Sequence, residues 1–132
     1  MPPPSPPHPG SVRIARPTRS LAAVADFYSE LVGLPQLSSF TDHDGFSGLI
    51  VGLPDQAHQL EFVRGPAGEP VPRPTAEDLL VLYLPSRGRD EIIRRLTDAG
   101  HRPVAPRNPF WDRIGAVLFE DPDGYVLVLA PE

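Results

Sequence analysis

Residues Val117–Ala130 read VLFEDPDGYVLVLA. Two apolar runs flank Asp121–Gly124 (DPDG), a composition that folds a chain back on itself. The spacing predicts a hairpin with arms Ile114–Glu120 and Tyr125–Leu129. Upstream, Arg89–Ala99 (RDEIIRRLTDA) sets Ile92, Leu96 and Ala99 on one helical side, and Gly100 stops the helix. Before it, Leu79–Leu84 (LLVLYL) is a short, wholly apolar strand. Pro103–Ala105 leaves room for one more short strand.

The first half repeats this order. Val12–Thr18 opens as a strand ending at Pro17. Ser20 is placed as N-cap of LAAVADFYSELVG, where Leu21, Val24, Phe27, Tyr28 and Leu31 recur at helical spacing and Gly33 ends the run. Leu37–Thr41 and Phe46–Leu53 flank a turn at Asp42–Gly45, and His58–Val63 follows. A shift of 67 positions lays Gly48 on Gly115, Leu60 on Leu127 and Phe62 on Leu129. A shift of 66 lays Arg13 on Leu79. Each half reads strand–helix–strand–strand–strand, the pattern of an internal duplication.

Prolines punctuate the chain. Six of nineteen fall in residues 1–10 (MPPPSPPHPG), predicted to be a disordered or polyproline-II tail. Four more fall in Arg64–Pro74 (RGPAGEPVPRP), an extended linker. The predicted organisation is a tail at 1–10 and one domain at 11–132, with module one at 11–63, a linker at 64–78 and module two at 79–132.

The 132 residues suit one domain on a prior of ~100–200 residues each. Twelve Arg, no Lys and seventeen acids give a net charge of −5, and the pI is about 5.3. That balance argues against nucleic acid and anionic membrane as partners. No cysteine is present, so thiolate chemistry and disulfides are excluded. With no signal-peptide pattern and no run of ~20 apolar residues, a cytoplasmic location is expected.

Three segments carry a family resemblance: VRIARPTRSLAAVADFYSELVGL, HQLEF and VLFEDPDGYVLVLA. Together they resemble the vicinal oxygen chelate superfamily, which includes glyoxalase I, bleomycin-resistance proteins and extradiol dioxygenases. The resemblance covers about residues 11–132 and is closer to a subgroup with a loop like NPFWDRIG (Asn108–Gly115). It implies an α+β fold of two βαβββ modules in tandem, forming curled sheets around a cavity. It also implies a homodimer.

Metal-dependent members place His, Glu or Gln ligands at one site near the start and one on the last strand of each module. Carried over, those positions hold Arg13, Glu61, Leu79 and Val128. Only Glu61 matches. Arg stays protonated and cannot ligate, and Leu and Val donate nothing. The expectation is therefore no metal and no cofactor. Of the four histidines, His8 lies in the tail, and His43, His58 and His101 read as solvent-facing.

Strand alternation outlines the expected cavity. Gln59, Glu61 and Val63 share one face, as do Arg13 and Ala15. Leu79, Val81 and Tyr83 form a third set, and Val126 and Val128 a fourth. Candidate ligand-binding residues are Arg13, Gln59, Glu61 and Tyr83, with Phe110, Trp111 and Asp112 from a covering loop. Each has a plainer alternative: an Arg13–Glu61 ion pair, core packing for Phe110 and Trp111, a hydrogen-bonded Tyr83. Asp121 and Asp123 read as turn formers.

Three functions follow. The first is metal-free binding of a small aromatic or cationic molecule, as in resistance-type proteins. The second is a metal-free lyase or isomerase with Glu61 as catalytic base and Arg13 stabilising an oxyanion, although a neighbouring Arg lowers a carboxylate's proton affinity and works against it. The third, metal-dependent glyoxalase or dioxygenase chemistry, lacks its ligands.

Overall fold

The computed structural model describes residues 1–6 and 9–132. Pro7 and His8 of the predicted tail lie outside the described residues. In module one, strand β1 (Val12–Pro17) leads to α1 (Leu21–Val24), which continues as a π-helical segment, Ala25–Leu31. Strands β2 (Gln36–His43), β3 (Phe46–Gly52) and β4 (His58–Arg64) complete a sheet of order β1-β4-β3-β2, with β1 and β4 parallel.

In module two, β5 (Leu79–Leu84) is followed by α2 (Ser86–Asp98), a short α3 (Phe110–Arg113), β6 (Val117–Glu120) and β7 (Val126–Pro131). The sheet order is β5-β7-β6, with β5 and β7 parallel. The fold is mixed α+β with βαβββ-like modules and two open sheets.

Local sequence accounts for these elements. Ser20 caps α1 as expected, its Oγ accepting from the Ala23 N–H at 3.1 Å. The apolar face read from the sequence turns inward, with Val24, Phe27 and Tyr28 fully buried. The bonds from Val32 N to Phe27 O and from Leu34 N to Tyr28 O widen the last turn. Helix α2 buries Ile92 and Leu96.

One cluster joins these helical residues to the helix-facing side of both sheets: Leu60 and Phe62 from one, Leu127 and Leu129 from the other. Arg95 of α2 donates to the carbonyls of Leu31 (2.6 Å) and Val32 (3.3 Å), satisfying the C-terminal end of module one's helix.

The duplication extends to strand register. Arg13 pairs with Gln59 as Leu79 pairs with Val126, and Ala15 pairs with Glu61 as Val81 pairs with Val128. One alignment needs correction. Ile50 pairs with Glu61, whereas Leu118 pairs with Val128, so Gly48 corresponds to Ala116 and not to Gly115. Gly115 lies in the turn before β6, at φ +79°.

Module two also departs from a full βαβββ repeat. The expected strand at Pro103–Ala105 is a single bridge, Val104 to Leu118. Prolines at 103, 106 and 109 remove the donors a longer ladder needs. The expected Asn108–Arg113 loop instead winds into α3.

Candidate functional site

The parallel β1–β4 ladder sets Arg13 beside Gln59 and Ala15 beside Glu61. All four residues sit on the sheet face turned away from the helices, because Leu60 and Phe62 take the helix side. The Arg13 guanidinium spans β4, donating through Nε to Gln59 Oε1 (3.1 Å) and through Nη1 to Glu61 Oε1 (3.3 Å). The Arg13 side chain is 49% exposed and that of Glu61 15%. Three of the expected site residues thus form one hydrogen-bonded patch.

Apolar groups surround the patch. Ile50 pairs with Glu61, Gly48 with Val63 and Gly52 with Gln59, all on the same face. The two glycines leave room that neighbouring side chains take. A Cβ on Gly48 would fall 2.4 Å from Phe40 Cζ, and one on Gly52 would lie 3.2 Å from Gln56 Cγ and 3.3 Å from Leu37 Cδ1. Phe40 and Leu37 therefore lean over the floor from β2. This open face is the module-one cup.

The second module's residues are placed differently. Leu79, Val81, Val126 and Val128 were expected to wall the same cavity. They belong instead to a separate apolar cluster that Trp111, Ile114 and Val104 pack against. Helix α3 covers the inner face of sheet two, which explains why Leu79 and Val128 are apolar. Trp111 packs there while Phe110 stays largely exposed, its ring meeting Trp111 edge-on at 5.0 Å. Asp112 is exposed on the same helix.

Tyr83 is 58% exposed and lines an open groove of about 350 Å³ with Leu53, Asp55, His58 and Leu80. His58 points to solvent as expected, with its Nδ1 paired to Asp55. Among the described residues, Tyr83 does not share a pocket with Arg13, Gln59 or Glu61.

Asp121 and Asp123 were read as turn formers, and they are. Asp121 Oδ1 accepts from the N–H groups of Asp123 (2.8 Å) and Tyr125 (3.0 Å). They are also buried ties between the modules. Tyr28 donates to Asp121 at 2.5 Å, Thr18 Oγ1 to Asp123 at 2.6 Å, and the Arg19 N–H to Asp123 at 2.9 Å. Arg16 lies 3.7 Å from Asp121, with its guanidinium 4.3 Å above the Tyr125 ring. Burial, and then the Asp121 charge, push the Tyr28 hydroxyl well above its ordinary value. Burial also raises the Asp121 carboxyl, against the lowering effect of its hydrogen bonds.

The positions that bind metal in related folds fail as a donor set. They supply one carboxylate, tied to a guanidinium, and two side chains without donor atoms. The described residues contain no group of three or more His, Asp or Glu able to hold an ion. None of their helices is long and apolar enough to cross a membrane.

Tandem modules with parallel first and last strands around shared helices give the fold that the resemblance to the vicinal oxygen chelate superfamily implies. Solved structures agree on this fold. The fosfomycin resistance protein FosX of Mesorhizobium loti aligns with a TM-score of 0.69 at 12% identity, over 93% of this chain and 91% of that one. Glyoxalase I of Leishmania major aligns with a TM-score of 0.71 at 15% identity, over 92% and 85%.

Closer kinship is specific. Residues 12–63 match the YycE-like N-terminal domain and residues 77–131 the YycE-like C-terminal domain. The uncharacterised protein YycE of Bacillus subtilis (strain 168) is 37% identical over 118 residues, which is 89% of this chain and 84% of that protein. A crystal structure of a Bacillus subtilis YycE protein of unknown function aligns with a TM-score of 0.86 at 35% identity, over 93% and 90%. The chain belongs to the YycE-like family.

Proposed function

We propose that this protein binds a small organic molecule in the module-one cup without a metal ion, and that a second copy of the chain covers the cup in a homodimer. The observation that carries the reading is the Arg13–Gln59–Glu61 patch, set on an apolar floor and open on one side. A few convergent polar groups in apolar surroundings are the usual composition of a small-molecule site. Sheet two's inner face is partly covered by its own α3 and carries no charged side chain like Arg13 or Glu61 at the matching positions, Leu79 and Val128.

Sequestration fits the patch better than base catalysis. A base needs a free carboxylate oxygen facing its substrate, and Oε1 of Glu61 is taken by the Arg13 guanidinium. Among the described residues, no second acid is hydrogen-bonded to the patch.

A small-molecule library screened by thermal shift tests the reading. Wild-type protein is expected to give hits that disappear in the double variant Arg13→Ala/Glu61→Ala. Elemental analysis of chelator-free protein is expected to show far less than one metal per chain. Tightly bound stoichiometric metal, or hits indifferent to the double substitution, would overturn it.

A further inference from the structure

We propose that the ligand of the module-one cup is an organic anion, a small carboxylate on a flat apolar body, held by the uncommitted edge of Arg13. This rests on the cup being a ligand site and goes further by fixing the sign of the ligand's charge.

Hydrogen-bond accounting sets that sign. Arg13 gives Nε to Gln59 and Nη1 to Glu61. Among the described residues neither proton on Nη2 has an acceptor, and the side chain is 49% exposed. Its partner carboxylate lies behind it at 15%. A molecule entering the cup therefore meets donors before it meets an acceptor. A cation would face the guanidinium first, at like charge. A carboxylate would gain charge-assisted hydrogen bonds from a planar group already oriented by two neighbours. Because β4 holds that side chain in the free protein, less rotamer entropy is lost on binding.

The surroundings set the body. Ala15 follows Arg13 on the inner face of β1, and Ile50 is buried opposite Glu61. Phe40 lies over Gly48, and Gln56 and Leu37 lie over Gly52, so apolar groups from β2 border the face beyond Ile50. A flat ring or short alkyl group held at Arg13 would pack against Ile50 and the edge of Phe40. The acidic balance of the chain repels anions at long range, but 0.1 M salt screens that repulsion beyond ~10 Å, whereas Arg13 acts at contact.

Benzoate and benzamidine make a matched pair of probes, alike in shape and opposite in charge. Each is titrated into the full ¹⁵N-labelled chain while the amides of Ala15, Gly48 and Gly52 are followed by NMR. Benzoate is expected to shift them saturably, and benzamidine at least tenfold more weakly. Arg13→Gln should weaken benzoate at least tenfold while the spectrum stays folded. Glu61→Gln keeps an acceptor for Arg13 and removes the opposing charge, so benzoate should bind a few-fold tighter.

Saturable benzamidine binding without benzoate binding overturns the anion and leaves the cup standing as a ligand site. Benzoate binding that survives Arg13→Gln, or weakens in Glu61→Gln, overturns the anion as well. No saturable shift with either probe overturns the anion and the cup together.

Discussion

Asp121 sits at the corner of the β6–β7 hairpin, yet Tyr28, which donates to it, is 93 residues away. Thr18 and Arg19 reach Asp123 across 105 and 104 residues. A local reading of DPDG finds the turn because Asp, Pro and Gly each have a local reason to be there. It has no means of finding the partners, since nothing near either segment encodes their meeting. Tyr28→Phe removes the donor while keeping the ring stacked on Phe62, and should cost about 1–3 kcal/mol by urea unfolding. Asp121 also makes stability depend on pH. Burial raises its folded proton affinity above the unfolded value, so the folded state binds more protons between those two values. Stability from this group is then greatest below the window and falls as pH rises through it. The stability difference between wild type and Asp121→Asn should shift in that direction across the carboxylate range, as read by urea titrations at stepped pH. An opposite slope would mean that the hydrogen bonds and Arg16 outweigh burial.

Among the elements, the regular ones were legible and the inserted one was not. LLVLYL is recovered residue for residue as β5, because six consecutive apolar residues between turn signals favour a strand. The register repeat was visible in Leu60/Leu127 and Phe62/Leu129, all four in the shared core. The sequence of Asn108–Arg113 suggests a loop covering a mouth, since a four-residue helix is too short to show periodicity. Its Phe110 and Trp111 give no local sign of which ring packs. In the structure Trp111 packs against the apolar cluster on the inner face of sheet two. Trp111→Ala should therefore cost about 1–3 kcal/mol, below the ~3–5 of a fully buried aromatic, because the residue is only partly covered. It is the only tryptophan in the chain, so wild-type emission reports this packing directly. Local opening of α3 should red-shift that emission before global unfolding. A single coincident transition by fluorescence and circular dichroism would show that α3 is part of the cooperative core.

At the scale of the molecule, the two modules began from one pattern and differ in what covers their inner faces. Module two covers its own with α3. Among the described residues no helix stands over Arg13 and Glu61, and the side chains of Phe40, Leu37 and Gln56 cover only the glycines. The order of elements let the duplication be read, but not this asymmetry, which depends on where a short insertion folds back. An open face beside an exposed apolar edge invites a second surface. Strand β1 supplies such an edge: it has only β4 as a neighbour, and Ile14 is 53% exposed with Val12 beside it. The proposed homodimer uses a second copy as that surface. Sedimentation velocity should then give a species of twice 14.4 kDa. Ile14→Asp places a charge where the edge would be desolvated and should shift the population to monomer, with little loss of monomer stability because the side chain is already exposed. If the cup is completed by the partner, that monomer should bind benzoate more weakly although Arg13, Gln59 and Glu61 are intact. A wild-type monomer at the highest soluble concentration would remove the second copy from the site. Undiminished benzoate binding by an Ile14→Asp monomer would separate assembly from recognition and leave the cup complete within one chain.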